Sequence, residues 1–160
     1  MASDLKRGAY SGRETFGYYN SATHASQTWV EMSRIRNVQT NRGPNLSEVE
    51  FHGAPETGNV PGYRKFAGSF EYVRKIGADT VWDALVAARD AGSIIEIAHL
   101  NGPITSDDSK GWQCPVLLGE FSEPANGNDG VVVTIPFAKA DAHDSTGAAI
   151  NYAPLSGSSS

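Results

Sequence analysis

Only one stretch of this chain keeps a helical period, and it is short. In DTVWDALVAARDAGSIIEIAHL (Asp79–Leu100), apolar residues recur at three- and four-residue spacing as far as Gly92. SIIEIAHL then continues as a strand with almost no linker. The surrounding chain alternates with period two. That combination predicts a mostly-β fold, a sandwich or barrel-like arrangement, with one flanking helix near residues 80–91. Val81, Trp82, Leu85 and Val86, joined by Ala88, form the apolar stripe and are the expected helix-packing residues; Asp83, Ala87 and Asp90 form its back. The stripe covers less than half of the helix, so it packs on a sheet face or plugs a barrel end. Thr80 with Asp83 three residues on reads as a capping-box-like start, and Gly92 as the stop.

The strands follow from alternation. QTWVEMSRIRNV (Gln27–Val38) predicts a long strand with a bulge near Ser33, NRGPN (Asn41–Asn45) a turn, and SEVEFH (Ser47–His52) a further strand. In the last, Val49 and Phe51 face one side and Glu48, Glu50 and His52 the other. GAPETGNVPG (Gly53–Gly62) holds three Gly and two Pro, which predicts an extended loop. In KFAGSFEYVRKI (Lys65–Ile76), Phe66, Gly68, Phe70 and Tyr72 share one face. NGPITSDDSKG is expected as a hairpin-type loop, WQCPVLLGEF as a strand, PANGNDG as a turn, and VVVTIPFAKA as the closing strand. Pro136 places that closing segment at an edge or a bulge. ETFGYYNSA (Glu14–Ala22) fits a short edge strand. The domain organisation is then an N-terminal arm with this edge strand (1–26), one β domain (27–140), and a C-terminal tail (141–160) that is either flexible or clamped by assembly.

Chemistry is harder to find. The chain carries 13 basic and 18 acidic residues, a net charge of −5, which argues against a groove-tracking nucleic-acid binder. Cys114 stands alone in WQCPVLL, so it reads as a small buried hydrophobe rather than a ligand or half of an intrachain disulfide. His24, His52, His99 and His143 lack a second His or Cys at ligand spacing, and no metal or cofactor is expected. DAHD (Asp141–Asp144) reads as a solvated tail segment. No nucleophile elbow, phosphate-binding loop or zinc-protease motif occurs, and Asp107 and Asp108 are adjacent rather than paired across a site. No enzyme is expected. No segment reaches the roughly 18 apolar residues of a membrane helix, and MASDLKRGAYSGR has no apolar run behind its charges, so neither anchor nor signal peptide is expected.

The order of these features resembles the major tail tube protein of long-tailed bacteriophages, a fold shared with the type VI secretion tube. The pieces that carry the resemblance are TWVEMSRIRNV followed by SEVEF, a Pro/Gly loop, FAGSFEYVRK, the helix DTVWDALVAARDAGS, the strand IIEIAHL, and GWQCPVLLGEFSEPANGNDGVVVTIPF. They span roughly Gln27 to Lys139. The resemblance implies homohexameric rings that stack into a hollow tube for DNA passage, with sheets joined edge to edge into an inner barrel and the helix outside. It implies as partners the chain itself, tail terminator, tape measure and baseplate proteins, with DNA only as transient cargo. It implies synthesis in the host cytoplasm and residence in the virion tail.

Under that reading Glu48, Glu50, Glu71 and Glu96 are the candidate channel lining, because a wall without basic contacts does not grip phosphate. Pro55, Glu56, Thr57, Asn59 and Pro61 are the candidate ring-stacking loop. Two other readings remain open from the sequence. One is a capsid decoration or head–tail joining protein. The other is a carbohydrate-binding β module using Trp29, Trp112, Tyr63 and Tyr72 as a stacking platform.

Overall fold

A computed structural model describes residues 16–50, 53, 57–123 and 131–158. Among the described residues strands dominate, and one helix interrupts them. In chain order the elements are β1 (Phe16–Asn20), β2 (Trp29–Glu31), β3 (Ile35–Glu50), β4 (Thr57–Val73), α1 (Thr80–Ala91), β5 (Ile95–Leu100) and β6 (Lys110–Leu118). After them come β7 (Val132–Lys139), β8 (Ala142–His143), β9 (Ala149–Ile150) and β10 (Ala153–Ser156). The main sheet runs β2-β1-β5-β6-β7-β4-β3, antiparallel at each pairing. Its end strands, β2 and β3, do not pair with each other, so the expected barrel does not close within the chain. β6 forks: β7 pairs its C-terminal end, while β10 pairs Lys110–Gln113 on the side that β7 leaves open.

The register explains the core. Residues directly opposite in a ladder point to the same face. Phe70 lies opposite Ile135, Tyr72 opposite Val133, Ile95 opposite Val116, and Ile97 opposite Cys114, and all eight are buried. α1 lies on this face. Leu85 is 0% exposed at its centre, and Val81, Trp82, Ala84 and Ala88 pack around it; Ala84 is outside the expected stripe, and Val86, which belongs to it, is not part of this cluster. Val86 is half-buried. Trp82 stacks on Tyr72 at 5.8 Å between ring centroids and meets Phe121 at 5.6 Å.

The helix start differs from the sequence expectation. Asp79, not Thr80, is the N-cap: its carboxylate accepts the Trp82 N–H at 3.2 Å. It also accepts the Tyr72 hydroxyl at 2.8 Å and the Lys75 N–H at 3.3 Å. Asp is preferred over Thr at this position, and it alone can also meet a buried phenol. Gly92, at φ 62°, closes the helix with its N–H bonded to the last turn, as expected.

The largest difference lies in β3 and β4. The turn expected at Asn41–Asn45 and the loop expected at Gly53–Gly62 are mostly strand: one continuous hairpin pairs Ile35–Glu50 with Thr57–Val73. Thr57, Asn59 and Pro61 lie in that hairpin; Pro55, Glu56, Phe51 and His52 fall outside the described residues. Pairing with β7 ends at Ala67, so the distal part of β4 has only β3 beside it. Pro44 and Pro61 both sit where the register shifts between Pro44 and Leu46. Register shifts and strands with one open side tolerate proline, so this composition is compatible with a strand.

The bulge expected near Ser33 is resolved as a break between β2 and β3 plus a bulge between Arg36 and Gln39, where Asn37 adopts φ 51°. The bulge brings the Gln39 carbonyl over Gly68, where a β-carbon would collide with it and with the Phe137 ring. Gly68→Ala is therefore expected to lower the unfolding free energy by about 1–3 kcal/mol in urea melts. Gly43→Ala in the same hairpin, with nothing within 4 Å of its β-carbon position, is the matched control and is expected to leave the midpoint nearly unchanged.

Two further expectations change. β1 is not an edge strand, because β2 covers its outer side. β7 is not at an edge either, yet Pro136 fits: its carbonyl accepts the Gly119 N–H at 2.8 Å, so its donorless side faces past the end of β6. The segment after Ala140 is held within the chain. β8 and β9 make a small hairpin whose turn is tied by Asp144, which accepts from the Thr146 hydroxyl at 2.6 Å and the Ala148 N–H at 2.9 Å. Those bonds, the Thr146 hydroxyl first, hold the Asp144 carboxyl below the usual carboxylate range.

Candidate assembly surfaces

Opposite the helix, the sheet presents a different surface. Ser69 lies opposite Pro136 and Glu71 opposite Thr134, with Arg36 and Gln39 beside them from β3. None of these side chains is buried. Leu117 and Ala138 add exposed apolar surface nearby. At the far end of the same face, Tyr18, Ala98 and Leu100 form a second small core with Phe16, Trp29, Ile104 and Leu155. The Tyr18 hydroxyl accepts the Ile104 N–H at 3.0 Å, and burial raises its pKa. The sheet is thus covered by the helix on one face and largely polar over the middle of the other.

The four candidate lining carboxylates do not converge. Glu71 is on the polar face, 29% exposed, where its Oε2 accepts Arg36 Nε–H at 2.9 Å and Asn37 Nδ2–H at 2.8 Å. Glu96 is on β5, only 13% exposed, between the β1–β2 loop and the β8–β9 hairpin. His24 Nδ1 lies 3.0 Å from its carboxylate, and Gln27 Nε2 donates to it at 2.6 Å while also reaching Gln113 at 2.9 Å. A carboxylate only accepts, so His24 carries its proton on Nδ1 here. Glu48 and Glu50 lie in the distal half of β3, well along the hairpin from Glu71; Glu48 already has an interaction partner.

Of the four aromatics considered as a stacking platform, Tyr72 is buried, and Trp112 and Trp29 pack in the two cores. Only Tyr63, 93% exposed, stands free of them. They cannot act together on one sugar. Cys114 is buried as expected, and burial pushes its thiol up to about 11. Among the described residues, no group of three His, Cys, Asp or Glu is placed to hold a metal ion, and no helix is long and apolar enough to cross a membrane.

The sheet margins are the second surface. β2 offers three residues, whereas β3 offers sixteen as the outermost strand. At ~3.3 Å per residue, β3 exposes a margin of roughly 50 Å. The bulge and the register shift at Pro44 divide it, leaving Gln39–Gly43 as an uninterrupted unit beside the sheet body. An edge of this length is normally a hazard that a protein covers or pairs.

A third feature was not foreseen. A cleft of about 260 Å³ at the root of the hairpin is lined by Arg42, Arg64, Lys65 and Lys139, with Phe66, Asn151 and Tyr152. Arg42 lies 3.9 Å over the Tyr152 ring. The cations are spread across three strands, and only the order β7-β4-β3 brings them together.

The described residues thus form an open sheet with one face covered by the helix, one largely polar face and a projecting hairpin. No protein-family model and no curated protein matches the chain. Solved structures do. The SPP1 tail tube, determined by solid-state NMR and cryo-EM, superposes with a TM-score of 0.69 at 12% identity, covering 92% of this chain and 80% of that one. The tail of an empty gene transfer agent (GTA) particle, refined with C6 symmetry, gives 0.62 at 17% identity, covering 84% and 96%. The PVC sheath–tube complex of an extracellular contractile injection system gives 0.58 at 11% identity, covering 98% and 99%. The chain has the fold of phage tail tube and contractile injection tube subunits.

Proposed function

We propose that this protein is a structural subunit of a phage tail tube, assembling as stacked six-membered rings around a channel for DNA. The observation that carries the reading is the two-faced open sheet on this fold. The helix covers one face, the other stays polar, and a sixteen-residue margin is left for a neighbour's strand. Joining copies along β2 and β3 would supply the closure that a single chain lacks, turning the edge hazard into the subunit joint. The polar face then turns inward. Ser69, Thr134 and the ion-paired Glu71 present hydroxyls and a neutralised carboxylate, so passing phosphate finds few free cations to bind. Of the other candidate carboxylates, Glu48 and Glu50 lie farther along the hairpin and Glu96 is engaged by His24 and Gln27. They are proposed as acidic positions apart from this central wall. Six copies of −5 would sum to −30 per ring.

Pro55, Glu56, Thr57, Asn59 and Pro61 remain the proposed stacking element; of these, Thr57, Asn59 and Pro61 lie in strand β4 rather than in a loop. The role is structural rather than catalytic. Proposed partners are the chain itself and the tail terminator, tape measure and baseplate proteins, and the proposed location is the virion tail. Similarity to chains from the anti-feeding prophage baseplate and its tube-terminating cap, at TM-scores of 0.55 and 0.52, supports tail partners in general. Negative-stain microscopy of the purified protein tests the reading. Hollow cylinders are expected; dispersed monomers across all salt and protein concentrations would contradict it, and closed oligomers that never stack would favour a capsid decoration protein.

A further inference from the structure

We propose that the cleft at the hairpin root is a binding site for a compact phosphate-type anion, on the face of the sheet opposite the proposed channel wall. The inference stands apart from the tube reading, because the site lies within one chain. Register places it. Arg42 is opposite Phe66, and Ala67 is opposite Ala138, so Lys139 falls beside Phe66 one step past that pair. Arg64 shares the Phe66 face two residues back along β4. Three cations from three adjacent strands thus surround one buried ring, on the same face as Phe70 and α1. Ser69 and Glu71 alternate onto the other face. Lys65 is the fourth cation in the lining, which holds no carboxylate.

What this cleft lacks is a counter-charge. Arg36, Arg74 and Arg89 each meet a carboxylate, at 2.9, 3.7 and 2.8 Å. None of the four cleft cations meets one among the described residues, although the chain carries an excess of acid. Arg42 and Lys139 stand two strands apart, roughly 10 Å between backbones, and their long side chains share one concavity. Charges at that spacing lie within about one Debye length, ~8 Å at physiological salt, so a bridging anion relieves their repulsion. The Arg42 guanidinium lies 3.9 Å over the Tyr152 ring, a contact that uses its flat face and not the N–H donors at its rim. Tyr152 also stacks on Trp112 at 6.2 Å, so its ring is committed to the protein and the open chemistry of the cleft is positive charge. A volume of about 260 Å³ is just below the roughly 300–1,000 Å³ of a drug-sized pocket and suits a compact ligand. Arginine forks and lysine point charges converging from several directions match a tetrahedral oxyanion with more than one negative charge. Soluble phosphates and the phosphate headgroup of a lipid share that chemistry.

Calorimetric titration of the purified protein with inorganic pyrophosphate tests it. Saturable binding is expected, one anion per chain, weakening as salt rises. Arg64→Gln/Lys139→Gln removes two cleft charges at exposed positions, so circular dichroism and melting are expected to match the wild type. Its affinity for pyrophosphate is expected to fall about tenfold or more. Lys75→Gln/Lys110→Gln, which removes the same charge from exposed positions outside the cleft, is the matched control and is expected to bind as the wild type does. Co-sedimentation with phosphatidic acid vesicles, against phosphatidylcholine alone, separates the sources. Beside a positive titration, vesicle binding that the cleft variant loses assigns a lipid headgroup, and no vesicle binding assigns a soluble phosphate. No saturable heat with pyrophosphate in the millimolar range, or equal affinity in the cleft variant, would overturn the inference. So would a DNA duplex that binds where pyrophosphate does not, since the surface would then be a nucleic-acid track. None of these outcomes bears on whether copies stack, which the microscopy reads separately.

Discussion

Leu85→Ala is expected to destabilise the subunit by about 3–4 kcal/mol, within the range for removing a fully enclosed leucine. The side chain is 0% exposed and sits where α1 meets the sheet, against the cluster that includes Tyr72, Val116 and Ile135. The helix is twelve residues long, too short to persist alone, so its stability comes from this buried face. Trp82 cannot compensate. Its ring is already engaged, stacked on Tyr72, against Phe121 and under the Arg74 guanidinium at 4.6 Å. Chemical melts of the purified subunit measure the effect. A loss below about 1 kcal/mol would mean that the helix is not anchored through its apolar stripe.

Asp79→Ala is expected to cost about 2–4 kcal/mol, because two debts fall due together. Loss of an N-cap is worth roughly 0.5–2 kcal/mol. The Tyr72 hydroxyl, on a buried ring, then loses its carboxylate acceptor, worth about 1–3 kcal/mol more. A cycle with Tyr72→Phe separates the two: the double variant is expected to be less destabilised than the sum of the singles.

The same pair makes the effect depend on pH. Burial alone would raise the Asp79 carboxyl, but hydrogen bonds from Tyr72, Trp82 and Lys75 and the charge of Arg34 hold it below the usual carboxylate range. Burial first, then the bond to Asp79 and its charge, push the Tyr72 phenol well above the ordinary tyrosine range. A carboxyl lowered on folding contributes stability above its unfolded pKa of about 3.9, lost as pH falls through the folded value. The difference between wild type and Asp79→Ala is therefore expected to be full near neutrality and to shrink below about pH 4. A difference that stays constant into acid would show that the carboxylate charge does not matter.

How much of this was readable beforehand divides along physical lines. The helix was legible because only a 3.6-residue period places Val81, Trp82, Leu85 and Ala88 together, and Gly92 supplied its stop. The Phe66–Phe70–Tyr72 face was legible because alternation against a packed layer leaves no other register. The hairpin was not. Gly and Pro read as loop when every strand is assumed to have two neighbours, but β3 and the distal part of β4 lack one. Asp79 was passed over because its task includes a phenol seven residues back, which local capping rules do not see. β10 joined β6 through backbone bonds that APLS, a weak strand sequence, does not advertise.

The assembly surfaces were half legible. Acidic residues alternating on strands marked Glu71 and Glu96 as polar-side positions, yet nothing in the sequence pairs Glu71 with Arg36 or buries Glu96 beside His24 and Gln27. The cationic cleft was invisible for the same reason. Lys139 is remote from Arg64 in the chain, and only sheet order makes them neighbours.

The most direct test of a margin-joined tube is a cryo-EM map of the polymer formed by the purified chain. The account predicts β3 of each subunit hydrogen-bonded to a strand of its neighbour, α1 on the outside, and Ser69, Glu71 and Thr134 facing the lumen. A map with the helix lining the bore, or with the β3 margin unpaired in the assembled state, would contradict it.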